Sequence, residues 1–451
     1  MVTGIIAEYN PFHNGHKYQI DYAKNTLKSD FIVVALSPDF TQRGEIAILS
    51  KYERTKIALN LGIDLVIQLP VNCATDSSSG YAYGGVKLLD SLGIIDNLLF
   101  SAEDNDINLL NVISELEIDK HDDYLDLVNV YLKSGYNYPV AREKTIMSLI
   151  DDDNLLSLDN SSIHNALSKP NNILAIEYLK AIKLTGSSIK PVCIKRIGSD
   201  YNDTKININN EINNNSEINN DLDTNNDFDI NIDICSATAI RNAISNNNFK
   251  VIKDVVPKYA FSIYKNAYDN NRFLSPEDVS LMLGYKLIQF DLCDGNTVGF
   301  DLKHIHDCSE SLRNKIFGEI NNYTTYSAFA NLLKSKDITH TRISRVLCHI
   351  LLDITEDLYF KKDGDIYPII PYIFVLGINE NGLSLMGDIK KKCTLPYFTS
   401  INDALDFSFE NVNAKDVLLA DIGATQIANM ILANKTSSKV ISEKSRKFMR
   451  I

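Results

Sequence analysis

Residues Gly4–Ile20 read GIIAEYNPFHNGHKYQI. Ile5, Ile6 and Ala7, with Tyr9, form the short apolar run of a buried strand, and Pro11 and Gly15 break it. From Lys17 onward, Tyr18, Ile20, Tyr22, Ala23 and Leu27 recur at helical spacing. His13 and His16 therefore fall between a strand end and a helix start, where an α/β sheet collects its ligands and exposed helix N–H groups favour an anion. Two imidazoles three residues apart at such a junction can both donate to phosphate oxygens and stabilise charge as a P–O bond breaks. Gly15 between them lets the backbone approach a ligand closely. Metal ligation competes for such a pair, but no third or fourth ligand stands at suitable spacing. Two surface histidines in a turn are the plainer alternative, and the preceding strand and NPF argue against it.

Outward from this stretch, strand and helix alternate: FIVVALS (31–37) as a strand, KYERTKIALNLG (51–62) as a helix, DLVIQLP (64–70) as a strand, GGVKLLDSLG (84–93) as a helix and NLLFSA (97–102) as a strand. This spacing implies an α/β, Rossmann-like parallel sheet with right-handed crossovers. Residues 107–160 read as mostly helical, KPNNILAIEYLKAIKLTG (169–186) as a helix opening at Pro170, and KPVCIKRIG (190–198) as a fifth strand. Residues 201–234 hold twelve asparagines among many acids, too little apolar surface to order a segment, so an insert at 201–233 is expected to be a solvated loop. CSATAIRNAI (235–244) then resumes with a small-polar helix start. The first domain is thus expected over 1–255 and a mainly helical second domain over 256–451. In the latter, SPEDVSLMLGYKLIQF (275–290) has Ser275 as an N-cap, 331–354 is one long helix or a helix pair, and YPIIPYIFVLGINENGLSLM (367–386) suggests two strands around NENG.

A chain of 451 residues with 45% hydrophobic and 23% charged residues is ordinary for a globular protein, and neither a long apolar span nor a secretory leader is apparent. Seven scattered cysteines without a Cys-x-x-Cys pair point to a reducing cytoplasm and away from a structural zinc site. The net charge of −13 argues against nucleic-acid binding by the whole surface, leaving a local basic face as the alternative.

Further residues suit a polyphosphate. Ser236 and Thr238 can cap a helix and face an oxyanion, with Arg241 three residues on from Thr238. Arg196 ends a strand, and Asn171 and Asn172 open a helix, positions at the carboxyl edge of the sheet. Plainer roles stand beside these: a capped helix with a solvated arginine, a surface arginine, an N-cap asparagine. Arg43 and Gly44 suggest a ligand-shaped loop after the second strand. Lys51, Arg54 and Lys56 are either substrate contacts or a solvated helix face, with the solvated face favoured for Lys56.

Taken together, HNGH after the first strand and SATAIR resemble the two signatures of the nucleotidyltransferase superfamily. In order, EYNPFHNGH, QRGE, DLVIQLP, KPNNILAIEYLKAI, IKPVCIKRIGSDYND, SATAIR and ITHTRISRVLCHILLDI are similar to the bacterial tRNA(Met) cytidine acetate ligase family, a likeness spanning most of the chain outside the insert. The resemblance implies that ATP and acetate give acetyl-adenylate and pyrophosphate, with Mg²⁺ expected alongside ATP, and that the wobble cytidine of elongator tRNA(Met) then becomes N4-acetylcytidine. It implies that Ile6, Ala7, Glu8, Tyr9, Asn10, Pro11, Phe12, His13, Asn14, Gly15, His16, Lys17, Tyr18 and Gln19 hold the ATP phosphates, with His13 and His16 at the α-phosphate. It also implies nucleotide contacts from Arg196, from Asn171 or Asn172, and from the position of Ser101, where the family has glycine. Pro38, Asp39 and Gln68 depart from the family pattern and are expected to alter the acetate pocket or loop rigidity.

Two basic segments are candidates for RNA: KSKDITHTRISR, with Lys334, Lys336, Arg342 and Arg345, and the C-terminal stretch with Lys435, Lys439, Lys444, Arg446, Lys447 and Arg450 against one acid, Glu443. The alternatives to a tRNA ligase are a small-molecule adenylyltransferase, which does not need the second domain, and a non-catalytic RNA-binding relative, which releases no pyrophosphate.

Overall fold

The computed structural model describes residues 1–103, 106–153, 160–196, 235–292, 301–335 and 338–451. The asparagine-rich insert, Cys293 and Lys336 lie outside them. Ten strands are described: β1 Val2–Ala7, β2 Phe31–Leu36, β3 Leu65–Gln68, β4 Asn97–Ala102, β5 Lys190–Lys195, β6 Tyr359–Lys362, β7 Asp365–Pro368, β8 Ile373–Ile378, β9 Tyr397–Phe398 and β10 Met449–Arg450. The main sheet runs β10-β8-β3-β2-β1-β4-β5, with β9 beside β8, while β6 and β7 form a separate hairpin. From β1 the chain moves out to β2 and β3, then returns to the other flank for β4 and β5. The order therefore reverses at the carboxyl end of β1, where doubly wound sheets open a ligand crevice.

The strands form for the reason the sequence suggests. In β2, Ile32, Val34 and Leu36 enter one core while Val33 and Ala35 enter the other. This two-residue alternation, apolar on both sides, marks a strand covered by helices on both faces. The helices Asn14–Asn25, Lys51–Asn60, Ser78–Asp90 and Pro170–Leu184 supply much of that cover. The third of these begins six residues before the expected Gly84, because Ser77 caps it through Gly80 N.

The sheet is mostly parallel but not wholly so. β3 pairs antiparallel with β8, Leu65 opposite Ile378 and Gln68 opposite Phe374, and β10 extends that edge in parallel with β8. The C-terminal half thus completes the sheet of the N-terminal half, and one core cluster runs from Ile5 and Val34 to Tyr264, Leu347 and Leu418. Only one of the two strands expected around NENG exists; after β8 the chain enters a 3₁₀ turn, Asn381–Leu385, and the helix Met386–Lys392. The 331–354 stretch is a helix pair, Tyr326–Leu332 and His340–Leu352, and Ser275 makes the expected cap, in a capping box with Asp278. The helix Val412–Lys435 is long and apolar enough to cross a membrane, but half of its most apolar window is buried in the protein and Asp421 on it accepts from Val71 N and Tyr372 Oη.

Lys51 and Arg54 are neither substrate contacts nor a solvated face; only Lys56 is exposed. Arg54 is fully buried and donates to four main-chain carbonyls: Leu49 (3.0 Å), Glu8 (2.7 Å), Ser37 (2.8 Å) and Pro38. It ties the carboxyl ends of β1 and β2 together. Lys51 Nζ meets Gln68 Oε1 (2.9 Å), Thr425 Oγ1 (2.9 Å) and Glu443 (3.1 Å). Gln68 and Asp39, whose carboxylate accepts from Lys51 N, therefore brace the scaffold behind the crevice, and Asp39 ties its loop to the start of the Lys51–Asn60 helix. Replacing Arg54 with methionine leaves those carbonyls without donors, so we expect the urea midpoint to fall by at least about 3 kcal/mol equivalent at constant slope.

Candidate active site

The helix Asn14–Asn25 is capped by its own histidines. His13, in extended conformation, is the N-cap, and its Nδ1 accepts from Gly15 N (3.1 Å). His16 Nδ1 accepts from His13 N (3.2 Å), closing a reciprocal capping box. The rings stack at 3.8 Å. Imidazoles whose Nδ1 accepts carry their proton on Nε2, so each ring keeps one N–H donor for the cleft. Burial, first of all, and then the positive charges of Arg196 and Arg241 hold His13 down at about 3. Burial, His13 and Arg196 hold His16 well below the ordinary range. Both rings are neutral donors at neutral pH.

The loop carrying them is fixed from every side. Asn10 Oδ1 accepts from Ile48 N (2.8 Å), Asn10 O from Arg241 (2.7 Å), and Phe12 O from Tyr264 Oη (2.8 Å). Asn14 N and Nδ2 donate to Val255 O (3.0 Å) and Asp254 O (2.9 Å). Helix Ala237–Ser245, capped by Ser236 through Ala239 N, thus holds the histidine loop through Arg241, which also meets Thr238 Oγ1 at 3.2 Å.

These elements enclose a cavity of about 450 Å³, within the usual range for a small-molecule site. Ile6, Ala7, Glu8, Tyr9, Asn10, His13, Gly15, His16, Tyr18 and Gln19 line it, as do Ser101, Asn171, Arg196, Ser236, Thr238 and Arg241. Pro11, Phe12, Asn14, Lys17 and Asn172 do not. Phe12 packs in the core against the Tyr9 and His16 rings, and Lys17 pairs with Asp21. Asn172 is fully buried and bonds Glu103 N and Asn165 O, whereas Asn171 stands at the cleft wall with its amide on Glu103 Oε1 (2.6 Å).

Sequence reasoning missed Gln42, Ser78, Tyr81, Tyr178, Lys195 and Thr341, which also line the cavity. Gln42, Tyr178, Lys195 and Thr341 fall within QRGE, KPNNILAIEYLKAI, IKPVCIKRIGSDYND and ITHTRISRVLCHILLDI, but nothing in their spacing singled them out, and Ser78 and Tyr81 lie in no motif. Strand-end position could have marked Lys195; the rest are placed only by tertiary packing. Arg43 lines the mouth as its loop suggested. Gly44 (φ +73°) serves packing instead, because a Cβ there would come within 2.4 Å of the Ser344 main chain. Its absence lets the 39–47 loop dock on helix His340–Leu352, where Tyr326 Oη bonds both Gly44 O (2.7 Å) and Ser344 O (3.0 Å).

That docking brings Arg345 into the cleft lining beside Arg43. Arg345 and Arg342 share Asp307, at 3.1 and 2.9 Å, and Lys334 is exposed nearby in sequence. The C-terminal basic stretch is largely structural: Lys435 pairs with Asp278 (2.9 Å), Arg446 covers the Tyr52 ring at 4.6 Å, Glu443 is buried against Lys51, and Arg450 lies in β10. Lys439, Lys444 and Lys447 are exposed.

A parallel sheet with its switch point at β1, a histidine-capped helix and arginines converging on one cleft define a nucleotidyl transferase. The family model described as HIGH Nucleotidyl Transferase matches residues 1–232 and 223–443. The tRNA(Met) cytidine acetate ligase of Clostridium perfringens is 34% identical over 430 residues, covering 95% of each chain. That of a Thermoanaerobacter species is 36% identical over 434 residues, covering 96% of this chain and 97% of its own. The crystal structures of Thermotoga maritima TmcAL superpose with TM-scores of 0.83 (apo) and 0.82 (bound with alpha-thio ATP) at 26% identity, over the whole of this chain. The chain belongs to the tRNA(Met) cytidine acetate ligase family.

The capping has a consequence for acid stability. An unfolded imidazole takes its proton near 6.5 and the folded His13 only near 3, so its contribution is complete above pH 6.5 and is lost as pH falls toward 3. Asparagine can cap without titrating. We expect a His13→Asn variant to lose about 2 kcal/mol less than wild type between pH 7 and 4.5, read by urea unfolding. Equal acid sensitivity of the two proteins would contradict the buried neutral ring.

Proposed function

We propose that the protein joins acetate to the exocyclic amine of the wobble cytidine of elongator tRNA(Met) in a cytoplasmic, ATP-dependent reaction. The observation that carries this is the pair of Nε2–H donors fixed at a helix N-terminus in a cleft rimmed by Arg196, Arg241, Arg43 and Arg345. Acetate is a poor acyl donor because oxide leaves badly; adenylation gives it a good leaving group. Acetate oxygen bonds to the α-phosphorus, the α–β P–O bond breaks, and pyrophosphate departs with the electron pair. His13 and His16 donate to the oxygens that gain charge, without giving up their protons, and the Arg196 and Arg241 guanidinium groups offset the polyphosphate charge. Asn171, at the cleft wall, is the asparagine assigned to the nucleotide. Mg²⁺ would accompany ATP, held mainly by phosphate oxygens and water. The amine of the splayed cytidine then attacks the acetyl carbonyl, giving N4-acetylcytidine and AMP.

Arg43 and Arg345 at the mouth, with Arg342 and Lys334 beyond and Lys336 in the same segment, suit tRNA phosphates on a protein whose net charge is −13. A single-stranded anticodon base is the kind of RNA element that can enter such a cleft.

The test is incubation with labelled acetate, ATP and tRNA(Met), followed by digestion. Labelled N4-acetylcytidine is expected; pyrophosphate release only with a different acceptor would favour a small-molecule adenylyltransferase. His16→Ala should lower acetate-dependent pyrophosphate exchange by about 10²–10³-fold while tRNA affinity is retained. Unchanged exchange would remove His16 from the mechanism. Arg342→Ala should instead weaken tRNA binding and reduce its log–log salt slope by about one, with exchange intact.

A further inference from the structure

We propose that Glu8 is the general base of the acetyl-transfer step, accepting the proton from the cytidine N4 as that nitrogen attacks. The inference rests on the ligase reading above and adds a residue role to it. Among the described residues lining the cleft, Glu8 is the one carboxylate. It sits half-buried just past the end of β1. Its place is fixed twice: its main-chain oxygen accepts from the buried Arg54 (2.7 Å), and its Oε1 accepts from Gln42 N (2.9 Å). Oε2 takes no hydrogen bond among the described residues. A carboxylate is a poor neighbour for a triphosphate, so the ATP-holding role expected for the whole span does not account for this side chain.

The transfer step needs a proton acceptor, and the histidines cannot serve. Each has its one basic nitrogen, Nδ1, occupied by a main-chain N–H, and presents only Nε2–H. The phenols of Tyr81 and Tyr178, which share the cleft lining, are pushed upward by burial; Tyr178 raises Tyr81 further, and the Glu8 charge acts on both. They stay protonated. Arg54 also feels the Glu8 charge. The groups that feel the Glu8 charge are thus Arg54, Tyr81 and Tyr178, and elsewhere in the lining stand Arg43, Lys195, Arg196, Arg241 and Arg345, with Tyr9, Tyr18 and the two histidines. A carboxylate also matches cytosine chemically: it accepts from the N4 amino group and repels the O4 that uracil presents there.

The step balances. The N4 lone pair bonds to the acetyl carbonyl carbon, the carbonyl carbon–oxygen bond to the phosphate breaks, AMP leaves with that pair, and the N4 proton goes to Glu8 Oε2 and then to water. Glutamine at this position can still accept a hydrogen bond from N4 but cannot take its proton.

The experiment compares full-length wild type, Glu8→Gln and Glu8→Asp in two readouts: acetate-dependent exchange of labelled pyrophosphate into ATP, and single-turnover transfer of labelled acetyl from enzyme preloaded with ATP and acetate to tRNA(Met). For Glu8→Gln we expect transfer to fall by about 10²–10⁴-fold and exchange by less than about tenfold. Glu8→Asp should recover part of the transfer. Transfer at the wild-type rate in Glu8→Gln overturns the proposal, and so does parallel loss of both readouts, which would assign Glu8 to ATP, its Mg²⁺ or the fold. A wild type that exchanges pyrophosphate but acetylates no tRNA sinks the ligase reading and this inference with it.

Discussion

Two main-chain N–H groups donating to imidazole Nδ1 atoms decide what the cleft can do. They satisfy part of the exposed start of the Asn14–Asn25 helix, and they place the protons of His13 and His16 on Nε2. One pair of bonds thus makes the helix and sets the site's chemistry. The neutrality of the rings follows first from burial, then from Arg196 and Arg241 for His13 and from His13 and Arg196 for His16. Neutral donors can offset charge that appears at a phosphate without competing for the protons that later steps release.

Holding those bonds requires the rest of the protein. The loop from Glu8 to Asn14 receives donors from Ile48 and Arg54, from Arg241 and from Tyr264, three separate parts of the chain. The C-terminal half is part of the same frame. β8 and β10 widen the sheet, Glu443 closes on Lys51, and helix His340–Leu352 receives the 39–47 loop at a spot where any Cβ on Gly44 would collide. Arg43 and Arg345, the latter carried by the C-terminal half, therefore line the same cavity as the histidines.

How much of this was legible in the sequence follows from the range of each interaction. Strands β1 to β5 and the histidine junction were readable because alternation, apolar runs and helix breaks are local signals. SATAIR was readable because its capping serine, threonine and arginine lie close together along the chain. Arg54 and Lys51 were not: in sequence they are charges on an amphipathic helix, and only folding surrounds them with carbonyls, Gln68 and Glu443. β8 could be seen as a strand, but its antiparallel place beside β3 pairs residues far apart in the chain, Leu65 with Ile378. GLSLM alternates like a strand, yet after the NENG turn it becomes a 3₁₀ turn and a helix because Asn379 caps Gly382 N. Asn171 and Asn172 could not be separated by pattern; Glu103, reaching from the end of β4, sorts them by turning one toward the cleft wall and burying the other.

Nitrogen NMR of the histidine rings, in the ligand-free protein and with a non-hydrolysable ATP analogue, probes the two capping bonds most directly. In both states we expect Nδ1 of His13 and of His16 to carry no proton and Nε2 to carry one, with the Nε2–H resonances shifting when the nucleotide binds. Rings protonated on Nδ1, or charged at neutral pH in the free protein, would contradict this assignment and the chemistry built on it.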